Sequence, residues 1–284
     1  MNAPVNYDSP KEIRELLDSL GFNTLKRWGQ NFLINGGVRQ KIVAELELTP
    51  GEPVWEIGPG LGSMTYGMLA AGHPVTVFEI DPGYCQFLKD KFQGLPLTIV
   101  YGDVLKTWEA QAALCTGPIK IMGNLPYNAA SAILGDFTDK GFLPPLGIFM
   151  VQKEMAMRLT AKVGEKNYSS FSVAIQTFFE VQSRMEVRPG SFFPPPEVTS
   201  TVVRLVPHGR HKVADPIKYS QLVRESFSSR RKTLRNNIVN ICRVSGLDPL
   251  LVAKAFEDRG VDLSRRSETL PPEDFVAVAE TLFL

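Results

Sequence analysis

The chain has 284 residues, 44% hydrophobic and 21% charged, with a formal net charge of +1. Such a length supports one large domain or one large and one small, and the composition is that of a soluble globule rather than a disordered or fibrous chain. The N-terminal MNAPVNYDSP is polar, no apolar run approaches the roughly 18 residues that span a bilayer, and the three cysteines are widely spaced, so the expectation is a cytoplasmic protein with reduced, buried thiols and no membrane segment.

Ser9-Pro10-Lys11-Glu12 predicts a helix start, with Ser9 as cap, Pro10 in the first turn and Glu12 closing a capping box. An alternating pattern follows. PVWEI (53–57) and PVTVFEI (74–80) predict strands, LGSMTYGMLAAG (61–72) a helix ended by glycine, and DPGYCQFLKDKF (81–92) a helix capped by Asp81. LTIVYG (97–102), IKIMG (119–123) and LGIFMV (146–151) predict further strands; residues 129–139, 152–161 and 170–179 have helical spacing. Two later strands, VQSRMEV (181–187) and VTSTVVRLV (198–206), are joined by a segment too short for a crossover helix, which predicts antiparallel pairing. The sum is an α/β fold with a mostly parallel seven-stranded sheet over 1–207. From 208 to 284 the chain reads as four short helices, over 216–229, 230–246, 248–260 and 271–283, a smaller C-terminal domain. His208 and His211 at the junction lack carboxylate or cysteine partners in sequence, so no metal site is expected.

Charge is unevenly divided. Residues 1–207 carry 18 Lys and Arg against 20 Asp and Glu, whereas residues 208–284 carry 13 against 10. Between Arg224 and Arg243, six basic residues face only Glu225, a density that suits a polyanion footprint; a solvated helix face is the alternative reading.

In a doubly wound sheet, ligands bind beyond the carboxyl ends of the strands. The first such end carries Gly58, Gly60 and Gly62 in EIGPGLG, which permit a tight turn and close approach by a ligand backbone. Ser63 stands where a dinucleotide fingerprint has its third glycine or alanine, and Pro59 removes an amide donor, so a nucleoside without a pyrophosphate fits better. Glu79 lies 21 positions after Gly58, the spacing of an acid that grips ribose hydroxyls, and Asp103 follows the third strand, where a carboxylate can accept from an adenine amino group.

NLPYN (124–128) follows the fourth strand. The Asn124 side chain and the Leu125 carbonyl offer neutral acceptors, Pro126 stiffens them, and Tyr127 presents a face on which a base can stack. Adenine N6 is a poor nucleophile because its lone pair is delocalised into the ring. Two acceptors gripping its hydrogens pull it toward a tetrahedral geometry that can attack a sulfonium methyl, with positioning rather than a strong base supplying catalysis. A proline turn that merely ends a strand is the alternative for this motif.

These stretches resemble the ribosomal RNA adenine N6,N6-dimethyltransferases, and most closely the small-subunit branch of that family. GQNFLIN (29–35), EIGPGLGSMT, FEID, YGDVL, NLPYN, FMVQKEMAMRL and SFFPPPEVTSTVVRL occur in the family's order, essentially end to end. The resemblance implies a Rossmann-like methyltransferase domain with S-adenosylmethionine as cofactor. It implies that Asn31, Leu33, Gly58, Gly60, Glu79, Asp103 and Asn124 contact that cofactor, with Ile80 and Val104 packing on its adenine. Asn124 and Leu125 would grip the target amine, and Tyr127 with Phe192 would sandwich the flipped base. The segment SSRRKTLRNN (228–237) resembles the family's RNA-contacting region, implying Arg230, Arg231, Lys232 and Arg235 as phosphate contacts. The implied substrate is two adjacent adenosines near the 3′ end of small-subunit RNA in an immature 30S particle, met by a monomer. Two other readings stay open: a macrolide-resistance type enzyme acting on large-subunit RNA, and a non-catalytic RNA-binding assembly factor. Met157 and Tyr168-Ser169-Ser170 depart from the family pattern, and no role is carried onto them.

Overall fold

The computed structural model describes residues 5–21, 31–126 and 129–283. Several of its helices begin alike, with an oxygen-bearing cap followed by proline. Ser9 opens α1 (Pro10–Ser19) by accepting from Glu12 N–H, and Asp81 opens α4 (Pro82–Lys91) by accepting from Gly83 and Tyr84 N–H. Asp215 and Asp248 do the same for α9 (Pro216–Ser226) and α11 (Pro249–Asp258). In each case proline occupies a position whose N–H has no helical partner, so its missing donor costs nothing. The expected capping box at α1 is half right: Glu12 accepts from the backbone and side-chain amides of Asn6 instead of returning to Ser9.

Residues cluster into two compact units. The first comprises 1–130, 144–153 and 182–206. It holds α1, α2 (Gly36–Ala44), α3 (Ser63–Ala70), α4 and α5 (Val104–Ala112), together with β1 (Phe32–Leu33), β2 (Val54–Ile57), β3 (Val75–Glu79), β4 (Leu97–Tyr101), β5 (Lys120–Asn124), β6 (Gly147–Gln152), β8 (Phe192–Phe193) and most of β7 (Phe179–Val187) and β9 (Ser200–Pro207). The main sheet has seven strands in the order β4-β3-β2-β5-β6-β9-β7. Pairings β4-β3, β3-β2, β2-β5 and β5-β6 are parallel, and β9 joins β6 antiparallel, so the expected α/β class with a terminal change of direction is observed.

Both faces of the central strands are covered. Val54, Val75, Val77, Met122 and Ile148 share one core with Leu61, Met64 and Met68 near α3 and with Phe87 and Leu88 of α4. Trp55 and Ile57 alternate to the opposite face, where the Trp55 ring meets Phe78 edge-on at 4.9 Å. Central strands buried on both faces read as continuous apolar runs, which is why they were legible.

The second unit comprises 131–143, 154–181 and 207–284. It contains most of α6 (Ala130–Asp139) and α7 (Lys153–Leu159), all of α8 (Ser170–Gln176) and α9, then α10 (Leu234–Ser245), α11 and α12 (Pro272–Phe283). The helix expected over 152–161 starts one residue later, because Gln152 still belongs to β6. The segment expected as helix over 170–179 gives way at Phe179 to β7. Tyr168 and Ser169, left without a role by the sequence, are structural. Tyr168 is fully buried with its hydroxyl donating to Leu270 O, and Ser169 caps α8 in a reciprocal box with Ser172. The three cysteines are free and half-buried, not buried as expected.

Candidate active site

The strand order reverses between β2 and β5, because β3 and β4 extend to one side and β5 and β6 to the other. Connections leaving those two strands diverge, and in such sheets ligands bind beyond the carboxyl ends at that point. β2 leads into Gly58 and β5 ends on Asn124.

The turn after β2 has left-handed backbone at Gly58, Gly60 and Gly62, with φ of +68°, +55° and +76°. Gly62 also lacks room: a Cβ there would lie 2.6 Å from Leu88 Cδ2 and 2.8 Å from Phe92 Cε2, in the α4 region. Gly123 on β5 is demanded by close approach alone, since its Cβ would sit 2.9 Å from Ile57 O. The two strand ends are thereby drawn together with backbone exposed between them. In the sequence Gly123 reads only as the end of a strand; the signal for its role is a glycine inside an apolar run immediately before a motif.

Glu79 closes the side of this turn. It is 3% exposed, its Oε2 accepts from Gly60 N–H at 3.1 Å, and its Oε1 accepts from Asp81 N–H at 2.9 Å. Burial raises its carboxyl above the ordinary range, while those two backbone donors pull it back. Each oxygen retains a lone pair, so the acid can still accept from ribose hydroxyls. Ile80 beside it is 43% exposed, an uncommon setting for isoleucine next to a polar turn, and Val104 is buried nearby in sequence to Asp103. Asp103 caps α5 through Oδ1 to Leu105 N–H at 3.0 Å, which leaves Oδ2 free of hydrogen bonds among the described residues.

At the tip of β5, Asn124 Nδ2 donates to Asn31 O at 3.4 Å, which orients Oδ1 as the acceptor of the amide. Leu125 N–H donates to Met150 O at 3.1 Å and its side chain is buried, so the backbone that carries the Leu125 carbonyl is anchored on β6 and in the core. Pro126 O then accepts from Ala129 and Ala130 N–H. Tyr127, expected as a stacking ring, and Gly29 and Gln30 of GQNFLIN lie outside the described residues.

Two motifs some 160 positions apart meet in a second, two-stranded sheet. β1 pairs antiparallel with β8, placing Phe32 opposite Phe193 and Leu33 opposite Phe192. Leu33 and Phe192 are 4% and 3% exposed and belong to the core. Phe193 is half-buried, with the Arg14 guanidinium 5.2 Å above its ring. Phe32 lies over the glycine turn, its ring 3.4 Å from where a Cβ on Gly60 would be. The structure therefore brings Asn31, Gly58, Gly60, Glu79 and Asn124 around one turn, whereas the Phe192 ring is packed inward. Such two-residue strands have no periodicity to find, so neither β1 nor β8 was expected.

One acidic residue escaped notice. Glu56, two residues before Gly58, is fully buried; its Oε2 accepts from Thr65 Oγ1 at 2.5 Å and its Oε1 has no hydrogen-bond partner among the described residues. Burial pushes its carboxyl up to about 7.

In the second unit, Arg230, Arg231 and Lys232 do not lie on a helix as expected but in the turn ahead of α10, whose cap is Thr233. All three are exposed, as is Arg235, and Arg230 Nη2 donates to Lys166 O. Leu234 and Arg235 N–H donate to Arg265 and Leu263 O, at 2.8 and 3.0 Å, so exposed Arg265 and Arg266 sit beside the start of α10. That neighbourhood is made by tertiary hydrogen bonds and had no signature in the linear charge pattern. Among the described residues no group of three or more His, Cys, Asp or Glu could hold a metal, and no helix is long and apolar enough to cross a membrane.

The family model of the ribosomal RNA adenine dimethylases matches residues 21–283. The chain belongs to that family. A ribosomal RNA small subunit methyltransferase A of Borreliella afzelii is 38% identical over 283 residues, covering 99% of this chain and 97% of the relative. That of Treponema denticola is 36% identical over 284 residues, with the same coverage. Among solved structures, a dimethyladenosine transferase from Plasmodium falciparum superposes with a TM-score of 0.71 at 25% identity, covering 86% of this chain and 94% of that one. The 23S rRNA methyltransferase ErmE gives 0.63 at 26% identity, covering 89% and 100%. The seven-stranded sheet and glycine turn are thus those of a Rossmann-like methyltransferase, and the chain is an enzyme of that class.

Proposed function

We propose that this protein dimethylates N6 of two adjacent adenosines near the 3′ end of small-subunit ribosomal RNA, acting as a cytoplasmic monomer on an immature 30S particle. The observation that carries the reading is the tip of β5. There Asn124 Oδ1 and the Leu125 carbonyl are held as neutral acceptors, the first by the amide's bond to Asn31, the second by anchoring on β6.

The cofactor is S-adenosylmethionine, and the residues around the glycine turn fit it. Glu79 retains acceptor capacity for two ribose hydroxyls, Asp103 Oδ2 is available to an adenine amino group, and exposed Ile80 offers an apolar face to the ring. Gly58, Gly60, Asn31, Leu33 and Val104 complete the proposed contacts. When bound, this cofactor supplies an electrophilic methyl group. Asn124 and Leu125 accept the two hydrogens of adenine N6 and so direct its lone pair out of conjugation. After transfer the excess proton leaves the amine toward the same acceptors or water; no strong base is needed. Tyr127 and Phe192 are proposed to flank the flipped base. For Phe192 this requires its ring to leave the core position in which it is packed.

Arg230, Arg231, Lys232 and Arg235, on the helical part from 208 onward, are proposed to neutralise RNA phosphates. Arg265 and Arg266 join that surface by position. A methyl-transfer assay with labelled cofactor, offering immature small subunits and naked large-subunit RNA in parallel, tests the reading. Label on adjacent adenines of small-subunit RNA supports it. Label confined to large-subunit RNA transfers the assignment to a large-subunit RNA methyltransferase of the ErmE kind, and no label on either leaves an RNA-binding factor.

A further inference from the structure

Glu56 occupies a core position. On β2 it alternates with Val54 on the face covered by α3, and its register partners are Val77 on β3 and Met122 on β5, both fully buried and apolar. A carboxylate there serves no ion pair among the described residues. One oxygen takes the Thr65 hydroxyl; the other is orphaned and inaccessible to water. An apolar side chain would avoid the desolvation cost, so the acid is retained against the interest of folding. Its place is under the glycine turn: Gly58 is two residues on, and Thr65 stands in the first turn of the helix that the glycines launch.

We propose that Glu56 is a specificity residue of the glycine-turn site: its buried carboxylate, bonded on one oxygen and unpartnered on the other, favours a cationic sulfonium ligand over the neutral thioether left after methyl transfer. The inference rests on the reading of this turn as the S-adenosylmethionine site. The groups that face Glu56 leave it the role. Glu79 acts on it from β3 through like charge, and Tyr7, in the segment before α1, is influenced by it. Tyr7 is buried, donates its hydroxyl to Leu61 O, and carries the Arg39 guanidinium of α2 at 5.7 Å over its ring. Thr65 donates from α3. The neighbours Val77 and Met122 bring no charge. A cation arriving at the turn is therefore met by two buried acids that otherwise repel each other, and it favours the ionised form of both.

The two acids have separable duties. Glu79 is placed for ribose hydroxyls, which the sulfonium and its thioether product share. Glu56 has no such contact, and responds only to the charge that disappears. Because burial holds its carboxyl near 7, the cation draws it to the ionised form and releases a proton, whereas the thioether does not. Loss of the methyl group then makes the ionised Glu56 costly; it takes a proton back, and the product is held less tightly.

The test is the affinity ratio of S-adenosylmethionine to S-adenosylhomocysteine, measured by calorimetry on the full-length protein between pH 5.5 and 8.5 in two buffers of different ionisation enthalpy. The ratio is expected to rise roughly three- to tenfold across that range, with more proton release for the sulfonium ligand. Glu56→Gln should flatten the rise and lower the ratio above pH 7. Thr65→Val, which strips the remaining hydrogen bond, should move the rise to higher pH. A ratio independent of pH in the wild-type protein overturns the proposal without any variant, and leaves the site reading intact if both ligands bind. Failure of both ligands to bind overturns both.

Discussion

At the scale of single residues, the site separates groups that hold the cofactor from groups that present the amine. Glu79→Ala removes a buried acid whose bonds to Gly60 and Asp81 N–H shape the turn. It is expected to weaken S-adenosylmethionine binding by roughly tenfold or more, the loss of a charged hydrogen-bond acceptor. Asn124→Ala removes Oδ1 and the bond to Asn31 O, and is expected to lower methyl transfer by on the order of 10²-fold while leaving cofactor affinity within severalfold. Titration calorimetry and single-turnover transfer read the two effects apart, and near-normal turnover in Asn124→Ala would remove the amine-gripping role. Phe192 needs a different design, because truncation to alanine costs a buried ring about 3–5 kcal/mol whatever its function. Phe192→Leu keeps most of the volume opposite Leu33. If the ring stacks on a base, this variant keeps its melting temperature within a few degrees and loses transfer to RNA; if the ring only packs, both survive.

At the scale of elements, the legible parts were those whose signal is local. Ser9 and Asp81, each followed by proline, announced two helix starts, and continuous apolar runs announced the central parallel strands, because both faces of those strands are covered. What escaped depends on partners far along the chain. β1 and β8 exist because Phe32–Leu33 and Phe192–Phe193 pair with each other, and a two-residue strand has no period of its own. Likewise, Thr233 rather than Arg230 begins α10, since the first N–H groups there are satisfied by Leu263 and Arg265 carbonyls. The surface gains arginines that no charge window would have joined. Replacing Arg230, Arg231 and Lys232 together by alanine is expected to weaken RNA binding and reduce the slope of log affinity against log salt by roughly two. An Arg231→Gln, Arg266→Gln pair should act in the same sense and less strongly. An unchanged slope in the triple variant, with helical circular dichroism intact, takes this face out of the footprint.

At the scale of the molecule, the alternation of strands and helices made the sheet legible, while the division into compact units was not, because it gathers segments before and after the sheet's last strands. The position of Glu56 was hidden for the same reason: only the register with Val77 and Met122 shows a carboxylate in a covered face. This burden has a consequence for stability. An unfolded glutamate titrates near 4.3, whereas folded Glu56 is pushed up to about 7 and Glu79 above its ordinary value, so between those limits these two positions bind more protons in the native state than in the unfolded chain. The stability that these two acids contribute then falls as pH rises, and the share from Glu56 is complete below about pH 4 and gone above about 7. The melting temperature of the ligand-free protein is expected to decline from pH 5.5 to 7.5, against the usual trend for a chain with paired surface carboxylates. Glu56→Gln, which keeps the shape and can still accept from Thr65, should melt higher than the wild type at pH 7.5 and show a shallower decline. S-adenosylmethionine should reverse the order at neutral pH, because the acid that costs the empty fold is the one its cation favours. Scanning calorimetry of both proteins at three pH values, with and without ligand, decides it. If the amide variant melts lower than the wild type throughout, the carboxylate is stabilising the core and the account of its retention fails.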